Sequence, residues 1–159
     1  FFWFYTRFFF RLFNRRLDME GTWYQIFRIN EYHGTEAIRH GPCKIGSSFE
    51  GVSMSGESFR TDREFSSNWQ SEITTIVRDR LILLFVSEGV RRQNSITRGT
   101  MSFYILGSPP TQLKGTFADS TPASNSGTIF LFRDKSEYEA QLSSFVKAAS
   151  ASSDTASQQ

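Results

Sequence analysis

Arg98, Thr100, Ser102 and Tyr104 occupy every second position of ITRGTMSFYIL (96–106). An extended chain therefore sets a cation, two hydroxyls and an aromatic ring side by side. Such a row is a reasonable wall for a ligand, since it sets charge, hydrogen-bonding groups and a ring on one side of a strand. A similar alternation puts Trp69 and Ser71 on one face with Ile73, Thr75 and Val77, and Gln25 on one face with Trp23, Phe27 and Ile29. If Trp23 points inward, Gln25 is an interior polar group that must be hydrogen-bonded or solvated, and so marks a lumen. Gln25, Trp69, Ser71, Arg98, Ser102 and Tyr104 are thus the candidate ligand contacts. Plainer roles compete: Trp69 as core, and Arg98 as a solvated side chain. The chain uses Arg far more than Lys, which favours bidentate phosphate contacts.

Catalysis has less to work with. Cys43 is the only cysteine, which leaves no internal disulfide and no cysteine-based zinc site, and makes a reducing compartment plausible. His33 and His40 bracket a polar stretch holding Glu31, Glu36 and Cys43, from which a metal site or a Cys–His nucleophile can be imagined. A loop of ordinary polar residues is the better reading. No HExxH, GxSxG, P-loop or GxGxxG motif is present. The expectation is no catalytic residue, no metal, no cofactor and no enzyme activity. A net charge of +2 argues against a binder of nucleic-acid polymer that works by bulk charge.

The elements that must position these residues are short β segments broken by turn residues. Strands are predicted at 21–30, 43–52, 53–59, 63–77, 80–88, 96–106, 112–119 and 127–133, with 33–42 as a loop and Gly56 at a bend or bulge. Eight strands with hairpin-length links predict an all-β fold, an up-and-down barrel in preference to a sandwich, since closure leaves no exposed edge. Leu81–Val86 does not alternate, so its outer face requires a cover. A helix over 137–149 is the candidate, with Ser136 and Glu139 as a capping box and Tyr138, Leu142, Phe145 and Val146 as one apolar stripe. The small polar residues 150–159 read as a disordered tail.

The chain opens with FFWFYTRFFFRLFNRR, in which nine of sixteen residues are aromatic, four are Arg and none is acidic. As a helix its ten apolar residues span about 15 Å, roughly half a bilayer's hydrocarbon core. Three readings compete: the cut end of a transmembrane helix, an interfacial amphipathic helix, and a helix docked on a soluble partner. The absence of an initiator Met before Phe1 favours the first. Trp3 and Tyr5 then lie in the aromatic belt, and Arg7, Arg11, Arg15 and Arg16 mark the cytoplasmic side. The expected organisation is 1–19 as the end of an anchor or an interfacial helix, 20–133 as the barrel, 134–149 as the C-terminal helix, and 150–159 as the tail.

Two families share features with this sequence. GTWYQIFRI resembles the G-x-W opening of lipocalins, whose Trp packs at the closed end of an eight-stranded barrel. Arg133 is similar to the lipocalin Arg that lies across that Trp, so the resemblance assigns Trp23 and Arg133 a barrel-closing role. A single cysteine and the lack of a T-D-Y signature depart from that family. The second resemblance covers more of the chain. GTW, GVSMSGESF, NWQSEITTI, LILLFVS, RGTMSFYI and LKGTFADSTPASNSGTIFLFR together look like the β-barrel receptor domain of bacterial anti-phage CBASS effectors. In those proteins two transmembrane helices precede a minimal barrel. The resemblance implies a barrel in the cytoplasm, tethered to the inner membrane, that binds a cyclic dinucleotide from a CD-NTase synthase. Binding would then drive self-association of the membrane helices, contact with lipid, membrane disruption and death of the infected cell. A lipocalin-like carrier of an apolar ligand and a non-catalytic interaction barrel are the alternatives.

Overall fold

The computed structural model describes residues 18–30, 36–48, 51–89, 96–120 and 125–156. Eight strands come first: β1 (Gly21–Asn30), β2 (Glu36–Ser48), β3 (Gly51–Arg60), β4 (Phe65–Val77), β5 (Arg80–Gly89), β6 (Ile96–Gly107), β7 (Pro110–Asp119) and β8 (Ser126–Phe132). The helix α1 (Lys135–Ala156) follows. Each strand pairs antiparallel with its neighbour in sequence, and β8 returns to β1 to close the barrel. The predicted fold class is therefore observed for the barrel and the C-terminal helix. The expected N-terminal helix, with Trp3, Tyr5, Arg7, Arg11, Arg15 and Arg16, lies outside the described residues. Among those described, no helix is long and apolar enough to cross a membrane.

Period-two alternation produces the core. Trp23 and Phe27 from β1, Cys43 and Ile45 from β2, and Met54 and Trp69 from β3 and β4 turn inward. Leu81, Leu83, Phe85, Met101, Phe103, Leu113, Phe117, Ile129 and Leu131 join them in one contiguous cluster. A second, smaller cluster lies outside the wall, where Ile26, Ile38 and Phe132 pack under Tyr138 of α1. That outer contact explains why β1 is buried on both faces in its middle.

Several expectations need correction. Residues 36–42 belong to β2 and are not a loop; Pro42, which argues against a central strand, is accommodated there by a side chain described below. The link between the second and third strands falls before Gly51, not at 52–53. Gly56 stays in register with Trp69, and the register shift in β3–β4 comes between Ser58 and Phe59. A second shift between Ser71 and Ile73 leaves Glu72 as the extra residue of a bulge. Beyond it Ile73, Thr75 and Val77 point outward, with Ile73 61% and Val77 53% exposed. Thr75 therefore does not share the inner face of Trp69 and Ser71.

The helix also differs. Asp134 is its N-cap, accepting from the backbone N–H of Ser136 (2.7 Å) and Glu137 (3.0 Å). The Ser136 hydroxyl itself donates to that carboxylate, so it does not act as the cap. α1 continues to Ala156, past the predicted end at 149 and into the segment read as a tail. It lies on β1, β2 and β8, not over β5, whose outward Leu84 is 42% exposed.

Candidate functional site

One end of the barrel is closed by Trp23 and Arg133. The Trp23 indole donates to the Met19 carbonyl at 2.7 Å, and the Arg133 guanidinium lies 5.5 Å from the Trp23 ring centre. Arg133 also donates to the carbonyls of Asp18 (3.1 Å) and Glu20 (3.0 Å), tying the chain entering β1 across the barrel floor.

Above that floor, the inner candidates are engaged with one another. Gln25 is fully buried. Its Nε2 donates to the Glu57 carbonyl at 2.9 Å and lies 3.4 Å from the Pro42 carbonyl, while Oε1 accepts from Trp69 Nε1 at 3.1 Å. Pro42 has no N–H to offer β3, so the Gln25 amide supplies from inside the donor that the β2–β3 ladder lacks. Gly56 makes room for this arrangement: a Cβ there would come within 2.7 Å of Gln25 Nε2 and 2.8 Å of Trp69 Nε1. Ser71 Oγ accepts from the Met54 N–H at 2.9 Å, bridging β3 to β4 at the bulge. Gln25, Trp69 and Ser71 are thus committed to holding the barrel.

Arg98, Ser102 and Tyr104 stand on the opposite side of the wall. Gly99, Met101 and Phe103 fill the inner face of β6, which turns the Arg98 row to the outside. Arg98 pairs with Glu72 at 3.3 Å in an exposed position, and Arg80 stacks 4.4 Å from the Tyr104 ring centre. The structure does not bring the two candidate sets together.

Two other places stand apart from these sets, one concavity and one cluster of charged side chains. On the outer wall of β2–β5 lies a concavity of about 520 Å³, whose charged lining residues are Lys44, Glu57 and Glu88. Thr22, Lys44, Ser55, Gln70 and Val86 form one row across its strands. With one cation against two carboxylates, it is a poor host for a ligand with two phosphates.

The second place is the end of the barrel opposite that floor. There Phe27, Arg39 and Arg60 form a single register row across β1, β2 and β3. Strand alternation puts all three on the inner face, since Ile38 and His40 lie outside under Tyr138. Phe27 meets Phe117 edge-on at 5.3 Å, and both rings are 7% exposed, the least buried aromatics of the inner cluster. Like charges directly opposite each other destabilise a sheet unless an anion lies between them. Arg60 pairs with Glu64 at 3.1 Å through Nη1, while its Nε is buried with no partner among the described residues. Arg39 Nη1 donates to the Ile38 carbonyl at 3.0 Å. The hydroxyls of Ser58 and Ser67 meet at 2.7 Å just below this row. Asp119, on the β7 side of the same end, is half-buried, and desolvation raises its carboxyl pKa, with hydrogen bonds to Asn125 opposing the shift.

Sequence reasoning missed Arg39 and Arg60, the first because its segment reads as a loop and the second because Arg near a strand end defaults to surface charge. Alternation of Ile38 and His40 against Arg39, Gly41 and Cys43 was the available signal. The same alternation separates His40, on the outside, from Cys43, which is 2% exposed and whose thiol pKa burial raises. Those two cannot act as a nucleophile pair, and His33 lies outside the described residues. No group of three metal-binding side chains occurs among the described residues. Compared with known proteins, the chain matches no family model and no curated sequence.

Proposed function

We propose that this chain is the receptor barrel of a membrane-anchored bacterial anti-phage effector, and that it binds a cyclic dinucleotide at the end of the barrel that holds Arg39 and Arg60 without catalysing a reaction. The Phe27–Arg39–Arg60 row carries the reading, because it supplies two guanidinium groups for phosphates beside aromatic rings for a base. The family resemblance supplies the ligand class and the consequence: binding would bring membrane segments together at the inner membrane, with the barrel in the cytoplasm.

A thermal-shift panel of purine and pyrimidine cyclic dinucleotides tests this. Ligand at a hundredfold excess over Kd adds about 2.7 kcal/mol, or about 5–10 °C for a chain of this size. One member is expected to raise Tm by that amount in the wild type and to lose most of the effect in Arg39→Ala and Arg60→Ala. A flat response to every member contradicts the proposal.

The contiguous apolar cluster that occupies the barrel interior favours the interaction barrel as the second reading over the carrier of an apolar ligand, which requires a dry cavity of its own. Lipid extraction followed by mass spectrometry separates those two.

A further inference from the structure

Seven large apolar side chains are exposed among the described residues, and five of them stand on one stretch of wall. Ile73, Val77, Leu84, Tyr104 and Leu106 are between 41% and 61% exposed and belong to the outer faces of β4, β5 and β6. Register makes them neighbours. Ile73 pairs with Leu84, and Val77, Arg80 and Tyr104 form one row, with Thr75 and Ile82 in the row between. The helix α1 lies on β1, β2 and β8 and leaves this wall bare. In an up-and-down barrel β4 and β6 both run toward the floor of Trp23 and Arg133, so Val77 and Leu106 lie at that end. An apolar patch rimmed by polar groups marks a contact surface.

The charges at its rim select the partner. Arg78 and Arg80 flank the β4–β5 turn beside Val77, and Lys114 continues the Tyr104 row on β7, three cations against the carboxylate of Asp79. Glu72, at the far border, is paired with Arg98. The Asp79 carbonyl accepts from the Ile105 N–H at 2.9 Å, which holds the turn against β6 beside Leu106. Residues 1–16, with four Arg and no acid, join the barrel at the same corner. Arg133 Nη1 donates to the Asp18 carbonyl at 3.1 Å and lies 3.4 Å from that of Pro110, whose strand partner Gly107 follows Leu106. A second copy seated here about a two-fold axis would bring like cations together. A bilayer with anionic headgroups accepts the apolar side chains, the tyrosine and the cations at once. We infer that the outer wall of β4–β6, at the end where the chain enters the barrel, seats on an anionic lipid surface. Val77, Tyr104 and Leu106 enter the interfacial layer, and Arg78 and Arg80 lie among the headgroups. This contact rests on the membrane-anchored part of the proposed function for its setting, and not on a ligand.

Site-specific labelling of the full chain is the test. Val77→Cys and Leu106→Cys each carry an environment-sensitive fluorophore, with Thr61→Cys at the opposite end and Lys147→Cys on α1 as references. Cys43 is buried and stays unlabelled. On phosphatidylethanolamine vesicles that contain phosphatidylglycerol, the first two labels are expected to shift to the blue, to be quenched by lipid-borne nitroxide and to be shielded from iodide. The two references are expected to remain open to iodide. Arg78→Gln is expected to weaken binding to these vesicles about fivefold and to leave binding to vesicles without phosphatidylglycerol unchanged. Equal iodide access at every site on the vesicles overturns the inference while leaving the anchor in place. No vesicle binding by the wild type, or an unchanged affinity in Arg78→Gln, overturns it as well. Shielding of Val77→Cys and Leu106→Cys without vesicles would do the same, because a second copy or the chain's own first residues would then cover the wall. None of these results alters whether the barrel binds a cyclic dinucleotide, which the thermal shift reads separately.

Discussion

Gln25 stands where a proline has removed a donor, and two predictions belong at its scale. Gln25→Leu leaves the Glu57 carbonyl and the Trp69 indole buried without their hydrogen bonds, at a cost of about 2–4 kcal/mol in urea unfolding. In a Pro42→Ala background, where the strand regains its own N–H, the same change is expected to cost less; an unchanged cost would show that Gln25 does not replace the ladder donor. His40 provides the pH dependence. Its Nδ1 lies 2.8 Å from the Tyr138 hydroxyl, whose pKa burial pushes up to about 12. Desolvation holds the imidazole below its ordinary 6.5, a backbone hydrogen bond with Arg60 opposing the shift and the Arg63 cation adding to it. As pH falls below about 6.5 the unfolded chain takes up this proton first, so stability drops until the folded-state pKa is passed. His40→Gln removes this contribution, and its stability is expected to change less than the wild type's between about pH 7 and pH 5. A steeper fall in the variant would reverse the assignment.

At the scale of elements, the helix and the bulged strand are where alternation and capping rules met competition. The apolar stripe of α1 was legible, since Tyr138, Leu142, Phe145 and Val146 recur at helical spacing and do pack outside the barrel. Its location was not, because a stripe specifies that a surface is covered and not which one. Aromatic contacts decide it: Tyr24 stacks on Tyr138 at 5.2 Å, Phe130 meets Phe145 at 5.3 Å, and Arg28 lies over Phe145 at 4.7 Å. Phe145→Ala is expected to cost about 1–2 kcal/mol, less than a fully buried Phe, and to raise amide exchange in α1 while leaving that of β5 and β6 unchanged. Uniformly faster exchange would mean that helix and barrel unfold as one unit. In β4 the core-facing apolar position moves from Trp69 to Ile76, an odd-to-even change that strict alternation from Trp69 overlooks and that the bulge at Glu72 produces by turning Ile73 and Val77 outward. Strand count and closure depend on many hydrophobic positions at once, which is why they could be read without the bulge. Side-chain direction beyond a bulge depends on one residue.

For the whole molecule, charge placement matters more than the net value of +2. One end is closed by Trp23 and Arg133, the outer concavity has more carboxylates than cations, and the opposite end sets Arg39 against Arg60 beside Phe27. Composition conveyed none of this, because the two arginines come together only when β2 and β3 pair in this register. The account predicts that a cyclic dinucleotide binds at the end that holds Arg39 and Arg60. Amide chemical-shift mapping of the full chain during titration with the panel member that gives the largest thermal shift tests this most directly. The predicted result is saturable movement of the Phe27, Arg39, Ser58, Arg60 and Phe117 amides, with Lys44 and Gln70 unmoved. Movement confined to Lys44, Ser55 and Gln70, or no movement at saturating ligand, would contradict it.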